Sequence, residues 1–109
     1  MQYTVHRSAA PLGSPSGDWN DPIWSACETL EIGNFSWEER EDSGHHPHTQ
    51  ARVTYDESYV GLIFRVEDRY VRAVAEKFQD SVCSDSCVEF FVSPIPDLPA
   101  YFNFEVNCG

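Results

Sequence analysis

The clearest signal along the chain is alternation. In residues 49–55, Ala51, Val53 and Tyr55 fall on one side of an extended chain, and Gln50, Arg52 and Thr54 on the other. In residues 59–66, Val60, Leu62, Phe64 and Val66 recur with the same period of two. Strand side chains point alternately to opposite faces, so both segments predict half-buried strands. Asp56-Glu57-Ser58 between them has turn chemistry, and the whole predicts a β-hairpin with a matching apolar face. Residues 87–93 set Val88, Phe90 and Val92 against Cys87, Glu89 and Phe91. Residues 101–107 set Phe102, Phe104 and Val106, read as inward, against Asn103, Glu105 and Asn107, read as outward. Pro94, Pro96 and Pro99 break the chain between these two strands. Residues 3–7 and 29–32 read as shorter strands, and 71–75 as a further candidate.

Helical periodicity is nearly absent. One short helical turn is predicted where Asp21 can cap and Pro22 can occupy the first position. Residues 8–17 hold Pro11, Gly13, Pro15 and Gly17 and read as a loop. Residues 33–48 are polar and acidic, an excursion over the surface. Six or seven short strands, each with one apolar face, predict an all-β antiparallel sandwich. No internal repeat, low-complexity tract or second domain is visible, so residues 1–109 read as part of one domain.

Charge narrows the partners. Seven Lys+Arg stand against 18 Asp+Glu, for a formal charge of −11 in 109 residues. That balance argues against binding a nucleic-acid backbone or an anionic membrane surface. No apolar run approaches the roughly 18 residues of a spanning helix, and no targeting segment is visible. Four cysteines, Cys27, Cys83, Cys87 and Cys108, permit disulfides in three pairings and leave the compartment open. Cys83 and Cys87 have loose metal-ligand spacing but lack a second pair, so zinc is disfavoured. Cys87 and Cys108 read as buried free thiols.

Four segments in order carry a family resemblance. They are Gly17-Asp18 with Trp24 downstream, residues 49–62, Asp85-Ser86-Cys87-Val88-Glu89-Phe90-Phe91-Val92, and Tyr101-Phe102-Asn103-Phe104-Glu105-Val106-Asn107. The chain resembles carbohydrate-binding module family 9 and its family-9-like relatives, within the DOMON-like group of β-sandwiches, from Asp18 onward. The resemblance implies an immunoglobulin/DOMON-like fold and non-catalytic binding of a plant or bacterial saccharide, as a module accompanying a glycoside hydrolase. It also implies further strands after the Val106-Asn107 segment, so the expected sandwich is incomplete at Gly109. Exposed strand edges in such a sandwich lead to an expectation of homo-oligomers.

The resemblance assigns ligand contacts residue by residue. Glu89 matches the family carboxylate that accepts sugar hydroxyl hydrogens, although a solvated charge or a partner for Arg65 or Arg52 is the plainer reading. Asn107 matches a residue near the sugar. Glu105 stands where the family often carries a basic residue, and Asn103 and Phe91 share its face. The family's stacking Trp lies six residues before the Glu; here that position is Cys83. Phe78, Tyr70 or Phe91 are the candidate substitutes. Trp24 reads as core, while Trp19 and Trp37 are either platforms or plugs of the core edge.

His45, His46 and His48 invite a transition metal, but an acidic loop with Glu38, Glu39, Glu41 and Asp42 reads first as solvated. The resemblance also leaves room for structural calcium among the loop residues Asp18, Asp21, Asp68, Asp80 and Asp85. Haem with Met/His ligation, found among DOMON relatives, is disfavoured because Met1 is the only methionine. Two alternatives stand beside sugar binding. One is an interaction or scaffold sandwich with a degenerate sugar site. The other is a glycosidase using Glu89 and Glu105 as its carboxylate pair.

Overall fold

The computed structural model describes residues 2–14, 16–34 and 43–109. Trp37, Glu38, Glu39, Glu41 and Asp42, singled out above, lie outside the described residues. Six strands are present among the described residues: β1 (His6–Arg7), β2 (Leu30–Ile32), β3 (His48–Tyr55), β4 (Val60–Glu67), β5 (Cys87–Val92) and β6 (Phe102–Asn107). They form two sheets, one of four strands and one of two, in two compact units spanning Met1–Asp68 and Arg69–Gly109. The all-β class expected from the sequence is therefore observed. No helix among the described residues is long and apolar enough to cross a membrane.

In the first unit, β3 and β4 pair antiparallel over their full length, from His48↔Glu67 to Tyr55↔Val60. Asp56 closes the turn: its Oδ1 accepts from the Ser58 and Tyr59 amides at 2.7 Å each. The other edge of β3 is shared by two short strands. β2 pairs antiparallel at one end, and β1 pairs at the other with His6↔Thr54 and Arg7↔Tyr55. The β1 pairing is parallel, so the sheet is mixed and not purely antiparallel as expected. It is short because only two residues of the 3–7 segment enter the ladder. Tyr3 instead donates its hydroxyl to the Glu28 carbonyl and accepts from the Val53 amide at 3.3 Å.

The core of this unit corrects a second expectation. Tyr55, Val60 and Val66 belong to the apolar face of the hairpin, yet they are exposed, and only Ala51 of that face is deeply buried. The tightest packing is on the opposite face, at Thr54, Gly61 and Ile63. Leu12 and Trp24 from the N-terminal segment cover it. A Cβ on Gly61 would meet Trp24 Cη2 at 3.3 Å and Leu12 Cδ1 at 3.4 Å, so the indole lies against bare backbone. Trp24 is carried by a helical turn, α1 (Pro22–Ser25), capped by Asp21, whose Oδ1 accepts from the Ile23 amide at 3.0 Å. The buried Thr54 hydroxyl is satisfied by donating to the His6 carbonyl at 2.9 Å.

In the second unit, β5 and β6 pair antiparallel from Cys87↔Asn107 to Val92↔Phe102. A 3₁₀ turn (Val82–Ser84) precedes β5. Residues 71–75 do not form a strand: the Arg72, Val74 and Ala75 amides donate to the side chains of Ser86 and Asp85.

Candidate functional site

Strand register decides which side chains meet. Glu89 lies directly opposite Glu105, Phe91 opposite Asn103, and Cys87 opposite Asn107. Residues opposite one another in an antiparallel pair share a face, and so do alternate residues of one strand. Glu89, Phe91, Asn103, Glu105 and Asn107, the five residues assigned to ligand from the sequence, therefore occupy one face of the hairpin. Val88, Phe90, Val92, Phe102, Phe104 and Val106 occupy the other.

On the polar face the two carboxylates confront each other across the ladder, and both residues are exposed. Asn103 Nδ2 donates to Glu105 Oε1 at 2.9 Å and steadies one of them. At the far end the Phe91 and Tyr101 rings meet with centroids 5.5 Å apart and planes tilted by 53°. From the sequence, Tyr101 is placed in the last strand and named as no ligand contact. Its spacing of two from Asn103 was the available signal, because it extends the same face beyond the end of β6.

Asn107 is engaged differently from its neighbours. Its amide nitrogen donates to the Ala75 carbonyl at 3.3 Å and to Asp85 Oδ2 at 3.1 Å, tying β6 to the loop before β5. Asp85 Oδ2 also accepts from the Val74 and Ala75 amides at 2.8 Å each. The Ala75 amide, with help from Asn107, Val74 and Arg72, holds the Asp85 carboxyl below the ordinary range despite its burial. Cys87 shows the reverse: burial first, then Glu89 and Glu105, raises its thiol pKa and keeps it protonated. All four cysteines are free, and Cys108 is exposed, not buried as expected, because it follows the last paired residue of β6.

The other candidates are dispersed. Cys83 lies exposed on the 3₁₀ turn. Phe78 is 93% exposed and Tyr70 63%. Trp24 is core, as expected, and donates its indole N–H to the Ser16 carbonyl at 3.1 Å. Trp19 is half-buried, with the Arg52 guanidinium 4.1 Å from its ring centroid, so one ring face is covered. Arg52 also reaches Thr29 and the Trp19 carbonyl, and Arg65 pairs with Glu67 at 2.8 Å.

His45 pairs with Asp68 at 3.1 Å, and His48 with Glu31 at 2.9 Å, so these two imidazoles serve separate carboxylates. The loop aspartates also work separately. Asp18 accepts from the Asn20 amide, Asp21 caps α1, and Asp80 accepts from the Glu76 and Lys77 amides. Among the described residues no group of three or more His, Cys, Asp or Glu could hold a metal ion.

Residues 24–109 match the family described as Carbohydrate-binding family 9. No curated protein and no solved structure gives a match.

Proposed function

Because the chain belongs to carbohydrate-binding family 9, whose members bind saccharides, we propose that the Glu89–Glu105 face of β5 and β6 is its sugar-contacting surface. The observation that carries this reading is the register that gathers Glu89, Phe91, Asn103, Glu105 and Asn107 on one face, with Tyr101 extending it. Carboxylates accept hydroxyl hydrogens in defined directions, and amides supply both donors and acceptors. Phe91 and Tyr101 offer the apolar surface on which a sugar ring packs, in place of the indole that Cys83 replaces. With the Asn107 nitrogen spent on Ala75 and Asp85, its amide oxygen is the atom offered to a ligand.

The module is non-catalytic in this reading. It holds a partner glycoside hydrolase near a plant or bacterial polysaccharide and so raises its effective concentration. Both carboxylates stand on an exposed sheet face, whereas a glycosidase acid works from an apolar enclosure. The scaffold alternative draws on Cys83, but the aromatic and carboxylate side chains on one face favour sugar.

Calorimetric titration with glucose, cellobiose, xylo-oligosaccharides and galactose tests the assignment. At least one should release heat, and Glu89→Ala should weaken that binding by about tenfold or more, the value of a charged hydrogen bond. Silence with every sugar, or unchanged affinity in Glu89→Ala, overturns it.

A further inference from the structure

A second feature of the Arg69–Gly109 unit is not used by that face. Residues 69–72 run beside residues 84–86, joined where the Ser86 amide donates to the Arg72 carbonyl at 2.8 Å and the Arg72 amide to Ser86 Oγ at 3.0 Å. Here an open pocket of about 480 Å³ is lined by Arg69, Tyr70, Arg72, Ser84, Asp85 and Ser86, among others. Neither Glu89 nor Glu105 lines it.

The Asp85 side chain has no exposed surface. Its Oδ2 is filled by the Val74, Ala75 and Asn107 donors, while Oδ1 accepts no hydrogen bond and lies 3.3 Å from Arg72 Nε. The Arg72 side chain is 63% exposed. One edge of its guanidinium is therefore set by a buried carboxylate, and the remainder is presented to solvent. Arg69 adds a second guanidinium, 5.3 Å from the Tyr70 ring centroid. Two arginines against one aspartate make this place locally cationic on a chain of charge −11.

We propose that this pocket is a subsite for an acidic sugar, taking the carboxylate of a uronic acid residue on Arg72 and Arg69. A guanidinium presents paired N–H donors matched to a carboxylate, and fixing one edge in advance reduces the ordering cost of binding. Tyr70 supplies an aromatic surface for the pyranose ring, and Ser84 and Ser86 supply hydroxyls for its remaining oxygens. That combination distinguishes an acidic sugar from a bare anion. Asp85 is a positioning residue, acting through Arg72. The inference takes from family membership only that the ligand is a saccharide, and it does not depend on the Glu89 face.

The test is calorimetry at low salt on the full chain, with a galacturonate trisaccharide, its methyl ester and sodium sulfate as separate titrants. The acid should bind about tenfold or more tightly than the ester, as a charge-assisted pair predicts. Arg72→Gln and Arg69→Gln should each reduce that preference. Arg69→Gln leaves the Asp85 hydrogen bonds in place, so it decides the matter if Arg72→Gln fails to fold. Equal affinity for acid and ester, or an undiminished preference in Arg69→Gln, overturns the proposal. So does sulfate competing as well as the trisaccharide, which would mark a simple anion patch. Neutral sugars report on the other face: their failure to bind sinks the Glu89 assignment and leaves this one standing.

Discussion

At the residue scale, a few side chains hold the first unit together, and each contact has a measurable consequence. Trp24 is buried against Gly61 and Leu12 and hydrogen-bonded to Ser16. Trp24→Ala should cost about 3–5 kcal/mol, enough to unfold a small domain, as read by thermal or urea melts. Gly61→Val places methyl groups where a single Cβ already meets the indole at 3.3 Å. It should cost about 1–3 kcal/mol by overpacking, and an unchanged melting temperature would mean that the indole does not rest on this backbone. Asp56 yields a pH prediction. The Leu12 amide, at 2.6 Å, leads the donors that lower its pKa, with the Ser58 amide second. A carboxyl lowered on folding stabilises the native state above its unfolded pKa of about 3.9, and the contribution is lost as pH falls through the folded value. The melting-temperature gap between wild type and Asp56→Ala should therefore be full at neutral pH and close below about pH 4. A gap independent of pH would refute this account.

At the element scale, the β5–β6 pair places two carboxylates directly opposite one another, an arrangement that opposes pairing. Glu105→Gln should stabilise the protein by about 0.2–1 kcal/mol, with the gain shrinking in high salt. A loss of stability on that change would indicate that the carboxylates attract through a shared proton or ion. The same pair shows what a period of two can reveal. Strands β3, β4, β5 and β6 begin and end within a residue of where alternation places them, and the gathering of Glu89, Phe91, Asn103, Glu105 and Asn107 on one face follows from parity alone. The Asp21–Pro22 cap was equally legible, because its chemistry is local. Parallel pairing of β1 was not, since it joins residues nearly fifty positions apart. Nor was the buried face of the β3–β4 hairpin, which is chosen by Trp24 and Leu12 arriving from elsewhere and by the room Gly61 leaves. Residues 71–75 look like a strand in composition, but their amides go to Asp85 and Ser86, a choice visible only in three dimensions. Asn107 likewise carries a matching residue type while its nitrogen has a structural partner.

At the scale of the whole molecule, apolar exposure and net charge oppose each other. Phe102, Phe104 and Val106 line the second face of β6 and are 54–60% exposed, and Val60 and Val66 of β4 are exposed as well. Apolar strand faces on this scale favour association with another copy, and among the described residues β5 and β6 each keep one edge that pairs with no other strand. A formal charge of −11 acts in the other direction, because two copies repel at neutral pH and low ionic strength. We propose that the balance yields weak homo-oligomers whose stability follows solution conditions. Raising salt screens the repulsion within roughly 10 Å at 0.1 M, and acidification towards the carboxylate range of about pH 4–5 removes it. Both changes should shift sedimentation profiles towards dimers and higher species. Phe104→Lys, which places a charge on the apolar face and leaves the Glu89–Glu105 face unchanged, should return the protein towards monomer under the same conditions. A protein that stays monomeric across salt, pH and concentration would overturn the prediction. An association insensitive to Phe104→Lys would place the contact elsewhere.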